Sequence, residues 1–266
     1  MHIHAFSPLE VWQGAATLDL DLPTYLARLK DAGLSTLPGT AAEILDDEVR
    51  DIICADKINT AQWLDVMRAS HSVGFKTTAT IMYGHVEQPV HWARHLMRIR
   101  DLQKETGGFT EFVPLPFVHM EAPMYLKGKA RKGPTFREAI LMHSVARLVL
   151  HPYITNIQAS WVKMGHEGVK ASLNAGCNDL GGTLMNESIS RAAGTQHGQE
   201  TSPGEMRRII KTLNREPRQR LTAYGEVSAE RERAGTNAPE LTEIVNTPAQ
   251  KYERKRPSPA LIKNER

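Results

Sequence analysis

Polar side chains recur where short segments rich in strand-forming residues end. They are His4, Glu43, His85, Phe117, His119, Gln158, Ser160, Trp161, Lys163, Asn186 and Glu187. An imidazole can exchange protons near neutral pH, charged groups can bind a zwitterion, and flat rings can stack. The carboxyl ends of parallel barrel strands face the active site. The pattern therefore predicts a pocket with a polar mouth.

Six strand-like segments alternate with helical stripes along the chain. The segments are 2–6, 34–39, 75–84, 109–117, 156–161 and 178–185. Between them apolar residues recur at helical spacing, as in Leu22, Leu26 and Leu29. This alternation is typical of βαβ units with a parallel sheet. Neither glycine-rich phosphate-binding fingerprint is present, so we favour a barrel over an open nucleotide-binding sheet.

Six strand–helix units are fewer than the eight that close such a barrel. We therefore expect an α/β fold, an incomplete (β/α) barrel of about six parallel strands with outer helices. Segment 2–6 should lie at an exposed edge. We place this domain at 1–225 and predict a charged, mostly disordered tail at 226–266, with a short helix near 239–245.

Helix boundaries are marked by residues with known preferences. Asn59 and Ser202 precede predicted helices, while Gly33, Gly74 and Gly176 follow them.

Composition excludes several classes of protein. The chain has 266 residues, 41% of them hydrophobic and 24% charged, with a net charge of +3. Six Lys and Arg against two Glu between Lys251 and Arg266 account for the positive charge, so the body is not basic. We expect no nucleic-acid partner and no membrane span. Only two cysteines and no secretory signal indicate a cytoplasmic protein.

A zinc hydrolase is one mechanistic alternative. His2 and His4 are spaced so that both project from one side of a strand, and His85, His119 and Asp179 offer further ligands. Such a site activates a bound water as the nucleophile in metal-dependent amidohydrolases.

A second interpretation comes from resemblance. It is carried by HIHAFSPLEVWQGAATLDL, LKDAGLSTLPGTAAEILDDEVR, TTATIMYGHVEQPVHWARHLMRIRDLQKETGGFTEFVPLPFVHMEAP, NIQASWVKMG and NDLGGTLMNESISRAAG. Over roughly 2–225 the chain resembles the radical S-adenosylmethionine enzymes that build the deazaflavin chromophore. Within them it resembles the tyrosine-using half of FO synthase, which implies a barrel of the radical S-adenosylmethionine type.

The resemblance implies a reaction and its partners. A 4Fe-4S cluster cleaves S-adenosylmethionine, and the resulting radical fragments L-tyrosine. The 4-hydroxybenzyl unit is then transferred to 5-amino-6-(D-ribitylamino)uracil. The other half of FO synthase is an implied protein partner.

The resemblance also suggests roles for the strand-end residues. His85 and Glu187 are the predicted catalytic residues. The predicted substrate-binding residues are His4, Glu43, Phe117, His119, Gln158, Ser160, Trp161, Lys163 and Asn186.

The chain departs from the family at the cluster. The family holds it with a CxxxCxxC loop after the first strand, and no such motif occurs in these residues. Cys54 and Cys177 lack the spacing and are interpreted as small buried hydrophobes. We expect a chain that lacks the family's first strands and is inactive alone. A non-catalytic remnant is the third hypothesis.

Overall fold

The computed structural model describes residues 1–184 and 186–237. Within them the chain forms an α/β fold of three strands and eleven helices. The strands are β1 (Thr36–Leu37), β2 (Lys76–Tyr83) and β3 (Phe109–Pro116). The helices are α1 (Pro8–Thr17), α2 (Leu22–Asp31), α3 (Asp47–Ile53), α4 (Thr60–Ser72), α5 (Pro89–Thr106), α6 (Pro123–Leu126), α7 (Phe136–Leu150), α8 (Trp161–Asn174), α9 (Ile189–Ala192), α10 (Pro203–Lys211) and α11 (Ala229–Thr236).

The three strands form a parallel sheet in the order β1-β2-β3. The other three predicted segments join it through single parallel bridges, His4 to Thr36, Phe112 to Ile157 and Gln158 to Asp179. The α/β class and parallel strands are confirmed, whereas a barrel of six strands is not. One reason is that 156–161 turns into α8 at once, which leaves few residues to extend a ladder.

The edge position of segment 2–6 agrees with this topology. Among the described residues, His4 bridges only Thr36, on one side. The Ala5 N–H donates to the Thr36 carbonyl at 3.3 Å, and the Ile3 carbonyl accepts from the N–H groups of Ser35 and Thr36.

Helix starts follow the capping residues in the sequence. The Asn59 side chain accepts from the Gln62 N–H while Gln62 reaches back to the Asn59 N–H, so both orphan donors are satisfied. Ser202 caps α10 in the predicted place. Gly33 follows α2 with a φ of +103°, which a residue with a Cβ adopts only with strain.

Successive side chains of β2 point alternately to the hydrophobic core and to a cavity on the other face of the sheet. Ile81 and Tyr83 lie in the large hydrophobic cluster beneath α4, α5, α7 and α8. Thr80 and Met82 project from the other face and line a cavity. A second, smaller cluster joins α1, α2 and α4 through residues that include Val11, Leu26 and Val66.

The predicted tail begins with a helix. α11 buries no residue, and its Glu232 pairs with Arg207 of α10 at 3.0 Å. The predicted helix near 239–245 lies outside the described residues. No helix in the described part of the chain is long and apolar enough to cross a membrane.

Candidate active site

Two adjoining cavities open where β2 and β3 end. The larger has a volume of about 350 Å³ and the smaller about 80 Å³. Both are lined by Glu43, Met82 and Phe117. The larger one also has Lys163 in its wall, and the smaller one has Lys57 and His85. Four of the eleven predicted site residues therefore meet here: Glu43, His85, Phe117 and Lys163.

The loop after β1 carries Glu43 into both cavities. Glu43 has a φ of +42°, a conformation that costs energy unless its surroundings hold it. Its carboxylate pairs with the Lys57 ammonium at 2.8 Å, and its side chain is 17% exposed. Its carbonyl accepts from the Met82 N–H at 2.9 Å, which ties the loop to β2.

A buried arginine holds this loop from behind. The Arg50 side chain, in a residue only 2% exposed, donates five hydrogen bonds to backbone carbonyls. The acceptors are the carbonyls of Ala41, Ala42, Ile44 and Ile58. These bonds match the five N–H donors of a guanidinium. No carboxylate in the described residues pairs with Arg50. Its positive charge is therefore compensated only by the carbonyl groups of the loop and of Ile58.

His85 is 2% exposed, backbone groups bind both of its ring nitrogens, and a Glu87 carboxylate oxygen lies 3.0 Å from Nδ1. Nδ1 accepts from the Val86 N–H at 2.8 Å, so Nε2 carries the proton and donates to the Met82 carbonyl at 3.0 Å. Burial lowers the pKa of the ring, which agrees with the neutral form. The ring meets Phe117 edge-on, with centroids 5.9 Å apart.

A buried carboxylate organises the turn beneath His85. Glu87, which is 3% exposed, accepts from the N–H groups of Gly84 and His85 and from the Trp92 indole at 2.8 Å. Arg131 approaches it at 3.7 Å. Glu87 therefore fixes the turn that carries His85, although it does not line either cavity.

Lys163 lies in the first turn of α8 and reaches the larger cavity half-buried. Its N–H donates to the Ser160 carbonyl at 3.1 Å, whereas its ammonium has no hydrogen bond and no ion pair among the described residues. Burial lowers the pKa of its ammonium, although the Glu187 carboxylate opposes the shift. The Glu187 oxygens accept from the Ser190 N–H at 2.9 and 3.2 Å, at the start of α9.

The remaining predicted residues lie outside both cavities. His4 contacts the Thr36 hydroxyl at 2.7 Å, and His119 packs edge-on against Tyr125. The Trp161 ring is buried in the core, because α8 begins at this residue. Its indole N–H donates to the Gly182 carbonyl at 2.9 Å. The other three are Gln158, bonded to Glu111 at 2.9 Å, Ser160, which precedes α8, and the exposed Asn186.

The structure does not assemble the predicted zinc site. His2 and His4 both bind the Thr36 hydroxyl, and His85 is bound to backbone groups. Among the described residues, the ligand atoms close enough for a metal ion belong to Asp46, Glu48 and His91. Asp46 instead pairs with two arginines, Arg94 and Arg98.

The two thiols do not fit an iron–sulfur cluster. Cluster ligation needs thiolates, three or four of them. Burial raises the pKa of Cys54, which lines the smaller cavity, and raises that of Cys177 to about 12. Both cysteines are buried and free.

The chain matches known proteins over most of its length. Residues 106–232 match the family model described as the CofH/MqnC C-terminal region. The chain is 48% identical over 250 residues to the FO synthase of Streptomyces avermitilis and 52% identical over 227 residues to that of Nocardia farcinica. These matches confirm the resemblance predicted from the sequence.

The chain spans only part of the length of the relatives that it matches. It covers 29% of the Streptomyces enzyme and 26% of the Nocardia enzyme. It is 50% identical over 224 residues to the 5-amino-6-(D-ribitylamino)uracil–L-tyrosine 4-hydroxyphenyl transferase of Methanocaldococcus jannaschii. That match covers 84% of this chain and 62% of the transferase.

A solved structure shares the fold. Methylornithine synthase (PylB) superposes with a TM-score of 0.52 at 16% identity, over 81% of this chain and 58% of that one. Identity this low supports the fold alone.

Proposed function

We propose that this chain forms the substrate-facing wall of an FO synthase site. The reaction is transfer of the 4-hydroxybenzyl unit of L-tyrosine to 5-amino-6-(D-ribitylamino)uracil in deazaflavin biosynthesis. The observation that carries the proposal is the 50% identity to a transferase named for these two substrates. Location in the cytoplasm and association with another part of the synthase belong to the same proposal.

L-Tyrosine suits the larger cavity. Its volume of about 350 Å³ lies in the range of small-molecule sites. The unpaired Lys163 ammonium is available for the substrate carboxylate, and the Glu43 carboxylate is available for the ammonium group. Phe117 offers an aromatic face to the phenol. The three side chains line one cavity, so one amino acid can meet all of them.

The ribityl-uracil is assigned to the side of the cavity near Lys163. Asn186 is exposed, and Glu187 acts on Lys163 electrostatically. An amide and a carboxylate provide donors and acceptors for hydroxyl groups, each of which costs about 1–3 kcal/mol if buried unpaired. We assign wall-supporting roles to His4, His119, Gln158, Ser160 and Trp161.

His85 is assigned a positioning role in this site. Proton exchange at either ring nitrogen would require loss of its bond to Val86 or Met82. The ring instead packs edge-on against Phe117 and forms part of the wall of the smaller cavity. Acid–base catalysis by His85 or Glu187 stays a prediction.

The cluster and S-adenosylmethionine supply the radical in the family that the chain resembles. The two thiols present here are fewer than the three or four that hold such a cluster. We propose that the chain contributes substrate binding and orientation, for which even about 1 Å of misplacement costs roughly 10²-fold in rate.

A chimera tests the proposal. In this chimera the present chain replaces the aligned 224-residue region of the Methanocaldococcus transferase. The remaining residues of that transferase are kept. We expect the chimera to form product from L-tyrosine and the ribityl-uracil. A folded chimera with the parent's iron content but no product would contradict the proposal and favour a non-catalytic remnant.

A further inference from the structure

A buried polar cluster lies on the cavity-lining face of β3, away from the site described above. Glu111 is four residues before Leu115, which lines the larger cavity, so the two side chains project from one face about 13 Å apart. Glu111 is 6% exposed and Asp179 is 8% exposed. Two carboxyl groups buried this deeply require specific partners.

Their partners come from a segment that we call the strap, residues 220–226. Its ends, Arg220 and Glu226, pair as an antiparallel bridge. The Leu221 N–H donates to the Gly225 carbonyl at 3.0 Å, and the Tyr224 N–H donates to the Leu221 carbonyl at 3.0 Å. Tyr224 has a φ of +62°, which is unusual for a bulky residue and is held here by its side-chain contacts.

The Tyr224 hydroxyl lies between the two carboxyl groups. Its oxygen is 2.5 Å from Glu111 Oε2 and 2.6 Å from Asp179 Oδ2. Arg220 donates to Asp179 through Nε, approaches Glu111 at 3.4 Å and stacks on the Tyr224 ring at 4.1 Å. Gln158 donates to Glu111 at 2.9 Å. Asp179, Arg220, Tyr224 and the neutral Gln158 are therefore the groups that face Glu111.

Hydrogen counting decides the protonation of this cluster. A phenol has one hydrogen, so it can donate to only one of two oxygens at these distances. The other carboxyl must carry a proton and donate to the phenol oxygen. Asp179 has the closer contact with the Arg220 cation and is the ionised partner. Burial, with the Asp179 charge adding to it, raises the pKa of Glu111, while Tyr224 and Arg220 oppose the shift.

We propose that a proton on Glu111 latches the strap onto the sheet, through a chain of hydrogen bonds from Glu111 to Tyr224 and from Tyr224 to Asp179. Loss of that proton leaves two carboxylates facing one hydroxyl hydrogen, so the strap loosens. Asp179 also accepts from the Gly181 N–H at 2.5 Å, which links the latch to the backbone that follows Asp179.

The direction of the pH effect follows from linkage. The folded state holds the Glu111 proton more tightly than the unfolded state, where a glutamate titrates near 4.5. The contribution of the latch is therefore complete below pH 4.5 and is lost as pH rises through the higher folded-state value.

Hydrogen exchange of the full chain measures the latch directly. The amides of Leu221 and Tyr224 report on strap opening, once rates are corrected for the intrinsic effect of pH. In the wild type we expect their protection to fall as pH rises. In Glu111→Gln it should not depend on pH, because the amide donates to Tyr224 as a protonated carboxyl does. Tyr224→Phe should lose about tenfold in protection at low pH. Glu167→Gln, on an exposed carboxylate of α8, should behave like the wild type.

Infrared spectroscopy provides a second measurement on the unmodified chain. A carbonyl stretch of a protonated carboxyl should persist above pH 4.5 in the wild type and in Glu167→Gln, and be absent from Glu111→Gln. Absence of that band from the wild type would overturn the proposal. So would pH-independent strap protection in the wild type, or an equal decline with pH in Glu111→Gln.

Discussion

Replacement of Lys163 by methionine separates carboxylate recognition from general binding. The Lys163 ammonium is half-buried and unpaired among the described residues, so its charge is available to a ligand. A hydrogen bond to a charged group contributes about 1.5–3 kcal/mol. Since 1.4 kcal/mol is tenfold in affinity, Lys163→Met should weaken L-tyrosine binding by about 10- to 100-fold.

Ligand analogues make this prediction specific. Isothermal titration calorimetry would compare L-tyrosine with tyramine, which lacks the carboxylate. Lys163→Met should weaken only L-tyrosine. Lys170→Met, on the same helix and paired with the exposed Glu167, should change neither. In Glu43→Gln we expect the binding of L-tyrosine to weaken. The binding of an analogue that has the carboxylate but lacks the amino group should stay unchanged.

Stability provides an independent check on the same substitution. Burial lowers the pKa of Lys163, so the folded chain holds this proton less tightly than the unfolded chain. The free energy of unfolding should therefore rise with pH up to the ordinary lysine value of 10.5, and Lys163→Met should remove that slope. Equal losses of affinity for L-tyrosine and tyramine, or a lower melting temperature without ligand, would refute the reasoning.

Three further predictions concern the cluster, a turn and a half-buried histidine. After anaerobic reconstitution with iron and sulfide the lone chain should hold no cluster, and about four irons per chain by elemental analysis would contradict this. Gly84→Ala should lower the free energy of unfolding by about 2–3 kcal/mol in denaturant titrations, because φ is +98° and its Cβ would lie 2.2 Å from Pro134. Gly182→Ala, with open space around it, is the control and should stay within about 0.5 kcal/mol. Burial lowers the pKa of His71 to about 4, so stability should fall as pH drops from 6.5 toward 4, and His71→Gln should flatten that fall in pH-dependent unfolding.

Local sequence patterns predicted the elements better than their pairing. Capping at Asn59 and Ser202 depends on residues within one turn, and both helices begin where predicted. Strand length depends on neighbours distant in the chain. Segment 34–39 forms only Thr36–Leu37, because Pro38 has no N–H to donate and the Gly39 N–H goes to the Thr78 hydroxyl instead of a ladder.

The sequence indicated which residue types line the cavities, but not where each side chain points. Glu43, Lys163 and Phe117 come at or after the ends of predicted strand segments and line the larger cavity, whereas their roles in binding stay a prediction. Trp161 ends a predicted strand segment, but α8 begins at that residue and the ring lies in the core. Arg50 and Glu87 were not predicted as site residues, because an arginine or a glutamate near a helix end is normally exposed to solvent. Their burial follows from tertiary packing, which spacing does not encode.

The charges around the two cavities favour an amino acid over a simple cation. Glu43 is the carboxylate that lines both cavities, whereas Lys57 lines only the smaller cavity and Lys163 only the larger one. Arg50 adds a buried positive charge directly behind the loop that carries Glu43, bonded only to carbonyls. Lys57 pairs with Glu43 Oε1 at 2.8 Å, and among the described residues no group binds Oε2, which stays available to a ligand ammonium. The site is therefore cationic on balance, and a ligand carboxylate at Lys163 compensates a charge that burial makes costly.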